Sequence, residues 1–304
     1  MIRIITLLLP LFGLAVCAQA QNARGIVPIE FAKARPVKGQ AKGQGPSQRR
    51  ANYRRTSAKA IDASKTDEVS QLGLTIWRLR PAAATDARER TLVQKEAGSV
   101  ALIPERVPAN APLRIGENIR LSFESPQPGY LYVIDRELYE DGSLTEPMLI
   151  FPTSRTRKGD NKVEAGKLIE IPAQEDQPNY FTLQQSRLNA VRQTGEVLTV
   201  IVTPEPLEGV TVGDQALPLA NERVQRWEKQ WGAQSETLDL AGGAGKTWTK
   251  AEQEAGASAA RYLLQSDPEP QTVYRVAVKP GAPLLVKIGL RYGRTNTASP
   301  RNKH

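Results

Sequence analysis

Residues 112–206 fall into short apolar runs, each of strand length and each closed by Gly or Pro, and this constrains the fold more than any other feature of the chain. In Ile119-Arg120-Leu121-Ser122-Phe123-Glu124 the apolar residues take alternate positions, so an extended segment has one oily face and one wet face, as in a half-buried strand. Gly129-Tyr130-Leu131-Tyr132-Val133-Ile134-Asp135 is apolar on both faces and rich in aromatic and β-branched side chains, which suits the interior of a sandwich. Met148-Leu149-Ile150-Phe151 repeats the theme before Pro152, and Leu168-Ile169-Glu170-Ile171 alternates again before Pro172. Residues 197–203 form the longest β-branched run in the chain, and every run is too short for a stable helix.

The pattern continues outside this block. Leu72, Leu74 and Ile76 share one face of residues 72–79, with Trp77 and Leu79 on the other, and residues 100–103 form a second short run. Residues 272–279 and 283–292 read as two strands joined in a closing hairpin around Pro280-Gly281-Ala282. The period changes only after Pro206. Val224, Trp227 and Trp231 recur at helical spacing, with Asn221 as the expected N-cap and Gly232 as the stop, and Thr249 with Glu252 forms a capping box for a short second helix. The expected fold is mainly all-β, an antiparallel β-sandwich of roughly seven to ten strands with one or two peripheral helices.

The order Gly-Glu-Asn-Ile-Arg-Leu-Ser-Phe (116–123), Gly-Tyr-Leu-Tyr-Val-Ile-Asp (129–135), Leu-Ile-Phe-Pro-Thr (149–153), then Asn161, Ala165-Gly166 and Ile169-Glu170-Ile171-Pro172 resembles the bacterial family known as domain of unknown function (DUF) 4384. The resemblance covers residues 112–203, rests on fold-type positions, and implies a secreted or surface-associated accessory module with no activity attached. Against the family pattern, a short Asp/Gly hairpin turn is expected after the tyrosine strand, whereas residues 136–147 read as a longer, acidic connection.

The N-terminus reads as a secretory signal peptide over residues 1–20. Arg3 gives the positive start, residues 4–16 the apolar segment, and Ala18-Gln19-Ala20 the cleavage pattern, placing the cut between Ala20 and Gln21. A lipidation box at Leu14-Ala15-Val16-Cys17 is the rival, and its branched Val16 fits poorly where a small residue is expected. The formal charge of +9 is not spread along the chain: residues 21–66 carry 11 Lys/Arg against 2 Asp/Glu, while from Asp67 onward 29 basic residues meet 30 acidic ones. Residues 21–66 are therefore expected to be a disordered basic linker, 67–293 the sandwich domain, and 294–304 a disordered tail. Arg49, Arg50, Arg54 and Arg55 around Tyr53 offer contact with an anionic envelope surface, the plainer alternative being a solubilising spacer. One tyrosine is almost no stacking platform, so no specific nucleic acid is expected as a partner, and no transmembrane span remains after signal cleavage.

The only cysteine, Cys17, falls in the leader and the only histidine, His304, is the last residue. That removes disulfides, cysteine nucleophiles, Cys/His zinc sites and Ser-His-Asp triads from the expected domain. Asp135, Glu137, Glu140 and Asp141 are the densest carboxylate cluster, but Tyr139 breaks the calcium-loop spacing and a solvated loop is the simpler reading. Ala241-Gly242-Gly243-Ala244-Gly245-Lys246-Thr247 lacks the leading glycine of a phosphate-binding loop, Leu240 standing in its place. Tyr130 and Tyr132 share one strand face and form either core or an aromatic patch, and the helical tryptophans either dock on a sheet or form a ligand platform. No catalytic, cofactor-binding or metal residue is assigned. The expectation is an exported, periplasmic or secreted, non-catalytic binding module of the bacterial envelope for a protein or polysaccharide ligand. The alternatives are a polysaccharide hydrolase using paired carboxylates, or a structural envelope protein held to an anionic surface by its basic arm.

Overall fold

In a computed structural model of the protein, residues 33–37, 51–61, 67–82, 91–93, 100–186, 190–257 and 261–293 are described. The expected signal peptide, Arg49, Arg50 and the expected C-terminal tail lie outside them. The fold is the expected antiparallel sandwich of two sheets.

The first sheet is built on β2 (Glu68–Pro81), with β1 (Tyr53–Arg55), β3 (Thr91–Val93), β4 (Val100–Val107), β5 (Asn118–Glu124), β9 (Ile169–Ile171), β10 (Phe181–Thr182), β13 (Ser235–Leu240) and β14 (Thr272–Val278). One edge of β2 pairs with β5. Its other edge is shared, β14 taking Glu68–Leu74 and β4 taking Ile76–Pro81. Thr75 sits at the junction, and its hydroxyl accepts from the Gln271 N–H at 3.0 Å, so that N–H is met where β2 changes partner. The second sheet runs β12 (Leu217–Pro218), β7 (Met148–Phe151), β6 (Gly129–Tyr139), β11 (Gln193–Thr203) and β15 (Leu284–Arg291), with β8 (Lys162–Val163) also on β6.

Alternation decides what lies between the sheets. Leu72, Leu74 and Ile76 of β2 and Ile119, Leu121 and Phe123 of β5 meet Leu131 and Val133 of β6, Leu198, Val200 and Val202 of β11, and Val286, Ile288 and Leu290 of β15 in one buried cluster. Burying a side chain of this size stabilises by roughly 1.5–3 kcal/mol.

Each outer face carries a cover. On the second sheet it is α1 (Asn221–Trp231), whose Val224 and Trp227 pack on Tyr132, Ile134, Leu149, Ile201 and Leu285. Gly232 ends the helix as expected, but the N-cap position is Ala220, with Asn221 one place inside and making no cap. On the first sheet the cover is residues 248–257 and 261–270, including α2 (Lys250–Ala257). The Thr249–Glu252 capping box forms in both directions: the Glu252 N–H reaches the Thr249 hydroxyl at 3.3 Å, and the Thr249 N–H reaches Glu252 Oε2 at 3.0 Å.

Three expectations are corrected. The final two strands are not a hairpin, because β14 pairs with β13 and β2 while β15 pairs with β11 in the other sheet. Pro280-Gly281-Ala282 is a corner between sheets, since the apolar rows of both strands must face each other across one core. The connection after the tyrosine strand is short. β6 runs four residues past Asp135 to Tyr139 and turns at Asp141-Gly142, Gly142 adopting φ +84° and Asp141 Oδ1 accepting the Ser143 N–H at 2.9 Å, so the Asp/Gly turn is present after a longer strand. The basic segment is not disordered throughout: residues 33–37 and 51–61 lie on the domain, with Arg35 and Tyr53 buried and β1 paired to β13. Two anchored side chains do this, and average composition does not reveal them.

Candidate functional site

Two places concentrate chemistry. The first is a groove of about 430 Å³ where β11 leaves the second sheet. Pro204 and Pro206 end the strand, and Leu207 turns back over Tyr132, its N–H donating to the Tyr132 hydroxyl at 2.9 Å. The groove's walls are Pro204, Pro206, Leu207 and Pro283, its floor Trp227 and Trp231, and its rim Glu205, Glu208, Arg223 and Arg226. The indoles stack with centroids 6.0 Å apart and planes 9° from parallel. Trp227 is buried against the sheet, whereas Trp231 is half-buried and presents part of its ring to the groove. The helix is clamped in place through Glu228, which accepts from the Thr199 hydroxyl at 3.3 Å and pairs with Lys287 at 2.5 Å. One ring therefore docks the helix on the sheet, and the other lines an open groove.

The second is a polar layer under α2. Arg120, Ser122 and Glu124 form the wet face of β5, and the structure buries all three. Trp77 and Trp248, centroids 5.7 Å apart and tilted 35° to each other, are flanked by Arg106 over Trp77 at 5.3 Å and Arg120 over Trp248 at 5.4 Å. Trp77 Nε1 donates to the Ser122 hydroxyl at 2.7 Å. Arg106 pairs with Glu252, Arg120 lies 3.8 Å from Glu170, and Arg35 makes a bidentate pair with Glu124 at 2.6 and 2.7 Å. These three arginines meet four buried carboxylates, the fourth being Glu269. Two of the acids respond: burial pushes Glu170 up to about 7 against the pull of Arg120, and burial pushes Glu269 up to about 7 against the pull of Arg35. The cavity that Glu269 borders, with Trp77, Ser122, Glu124 and Glu252, measures about 10 Å³, room for about one water.

Gly256 is required by this layer. A Cβ there would lie 2.2 Å from Glu170 Cδ, and Glu170 is held by Gln174 Nε2 at 2.9 Å and by Ser122. Gly256→Ala is expected to destabilise by about 1–3 kcal/mol, the overpacking cost exceeding the helix-propensity gain of roughly 1 kcal/mol. A urea titration showing the variant equal to or more stable than the parent would refute the packing argument.

The sequence-level candidates separate in space. Asp135 and Glu137 follow Leu131 and Val133 along one face of β6, Glu137 is cross-strand from Glu196, and burial, then Glu196, raises Asp135 to about 8. The Tyr139 hydroxyl donates to Glu137 and the Tyr292 hydroxyl to Glu196. Glu140 and Asp141 lie apart on the exposed turn, Glu140 paired with Arg192 at 3.0 Å. Among the described residues no group of three or more His, Cys, Asp or Glu is placed to hold a metal ion. Tyr132 is core and Tyr130 half-buried beside it. Arg54 and Arg55 are exposed on β1, Arg55 lying 3.8 Å from Glu236. The glycine-rich 241–247 stretch is a turn tied to β4, the Gly245 N–H donating to the Arg106 carbonyl at 2.9 Å and the Arg106 N–H to that of Lys246 at 2.9 Å.

Sequence reasoning missed the polar layer. Its signal was faint: arginines and glutamates alternating with apolar residues look the same whether their face meets water or a second layer. No helix among the described residues is long and apolar enough to cross a membrane. Comparison with curated proteins and with solved structures finds no match. A family model does match part of the chain: residues 112–205, from the approach to β5 through the end of β11, match the model of the family described as Domain of unknown function (DUF4384).

Proposed function

We propose that the protein is an exported, non-catalytic binding module of the bacterial envelope, and that the Trp231 groove holds a polysaccharide ligand. Export rests on the Ala18-Gln19-Ala20 leader pattern. The groove carries the binding reading: a part-exposed indole, held flat against a second ring, is a platform for the apolar face of a sugar ring, and Glu205, Glu208, Arg223 and Arg226 at the rim suit its hydroxyls. The hydrolase alternative would have to draw on the rim carboxylates Glu205 and Glu208, both exposed. Of the raised carboxylates, Glu269 borders a cavity too small for a sugar ring and Glu170 is buried against Ser122 and Gln174, so they lend the hydrolase alternative no support.

Titration with soluble envelope polysaccharides and wall-glycan fragments, followed by calorimetry, tests this reading. Trp231→Ala is expected to weaken binding tenfold or more, a loss of about 1.4 kcal/mol, while leaving the melting temperature within about 2 °C. Undiminished binding by the variant would exclude the groove. Absence of any glycan binding by the parent protein would sink the polysaccharide reading.

The anionic-surface alternative keeps one specific observation in its favour, the display of Arg54 and Arg55 from an ordered strand. Envelope association that falls away between low and high salt, and falls equally in the Trp231→Ala protein, would favour that alternative.

A further inference from the structure

Arg35 is received as a ligand is received. Its Nε and Nη2 donate to the two oxygens of Glu124 at 2.7 and 2.6 Å, Nη1 donates to the carbonyls of Asp267 and Leu264 at 3.0 and 3.4 Å, and Nη2 donates again to that of Pro268 at 3.1 Å. All five guanidinium N–H groups are thereby used, in a planar fork that an ammonium cannot reproduce. The side chain is fully buried, yet Lys33, Ala34, Pro36 and Val37 around it are exposed. The slot also holds more acceptor than its occupant uses, because Glu269, nine-tenths buried, has Oε2 without a hydrogen-bond partner.

The grip beside the slot is backbone and equally modular: the Gln265 N–H donates to the Pro36 carbonyl at 3.2 Å and Gln265 Nε2 to that of Arg35 at 3.2 Å. Among the described residues the next anchoring strand along the chain is β1, which begins eighteen residues on. Eighteen residues span up to about 60 Å when extended, more than the width of a domain of this size, roughly 45 Å. Arg35 can therefore reach the slot of a neighbouring copy with β1 still in place on its own.

We propose that the Glu124/Glu269 slot is a guanidinium-recognition site filled exchangeably by Arg35, and that a second copy of this chain supplies the competing arm, linking molecules arm to slot. The contacts made in trans are the contacts made in cis, so exchange requires no new surface and is governed by concentration.

Single-cysteine full-length chains in a Cys17→Ser background test this directly. One carries Val37→Cys, on the arm, and the other Gln265→Cys, beside the slot; when the two are mixed, any disulfide formed joins separate molecules. The expected result is a cross-linked heterodimer that grows with protein concentration and is suppressed when the arm chain also carries Arg35→Ala. Because that variant risks misfolding, a second measurement uses the unaltered arm: millimolar N-acetyl-arginine amide is expected to reduce the cross-link several-fold, and N-acetyl-lysine amide at the same concentration to leave it unchanged. No cross-link at any concentration means the arm closes only on its own domain and overturns the proposal. A cross-link indifferent to Arg35 and to the arginine amide is random collision and overturns it equally.

Discussion

Arg106→Met is expected to destabilise the protein by about 3–5 kcal/mol, the cost of leaving a buried carboxylate without its partner. Arg106 is 3% exposed and serves three neighbours at once: it pairs with Glu252, donates Nη1 to the Glu269 carbonyl at 2.8 Å, and lies over Trp77. Methionine fills much of its volume, so the loss is mainly electrostatic rather than a cavity. For a domain of this size the fall corresponds to a melting temperature lower by roughly 10 °C. The double variant Arg106→Met, Glu252→Gln should recover a large part of it, because the glutamine is neutral and keeps a carbonyl oxygen for the Thr249 cap. Equal stability of the parent and Arg106→Met in urea would mean that the pair is solvated in solution and that the layer is not closed.

Stability should also fall as pH rises from about 4.5 to about 7. Glu170 and Glu269 are both raised by burial from an ordinary 4.5 to about 7, so the folded protein holds their protons more tightly than the unfolded chain does. Below pH 4.5 both states are protonated and the stabilisation is fully present; above about 7 it is lost, up to about 3 kcal/mol for each group. The charges facing them fix this sense. Glu170 meets Arg120, with Glu175 beyond, and Glu269 meets Arg35 and Glu124; in both cases removal from water outweighs the arginine. Asp135, raised to about 8, acts in the same direction. Urea midpoints at pH 5 and pH 8 measure the slope, and Glu170→Gln with Glu269→Gln should flatten most of it while stabilising the protein at pH 8. A parent protein more stable at pH 8 than at pH 5 would show that these carboxylates stay ionised and paired.

Much of the sandwich was legible. The runs at residues 72–79, 119–124 and 197–203, and all but Leu168 of the run at 168–171, are strands in the structure, and the helix with Val224, Trp227 and Trp231 on one face lies where its spacing put it. These features are local, set by side-chain period and by where Gly and Pro interrupt it. The groove was half legible: the tryptophan spacing marked a helix face, but whether Trp231 met sheet or open space depended on how far 204–209 stood away from the sheet. Partner choice was not legible at all. Residues 272–279 and 283–292 are neighbours in sequence and strangers in hydrogen bonding, because a three-residue link is as able to turn a corner between sheets as to close a hairpin.

The deepest difference concerns the faces read as wet. The sequence by itself determined that residues 112–206 are β structure, that the inner rows of β2, β5, β6, β11 and β15 are apolar, and that the net positive charge sits in the first 66 residues. Only the tertiary structure decided that Arg120, Ser122, Glu124 and Glu170 lie under a second cover, and that Arg35, drawn from the basic segment, closes that cover. Period two reports which side chains share a face, and it carries no information about what the face meets. For polar residues that information is non-local, held in partners 89 residues away for Arg35 and Glu124 and 146 away for Arg106 and Glu252, and it becomes visible only when the chain brings opposite charges together out of water.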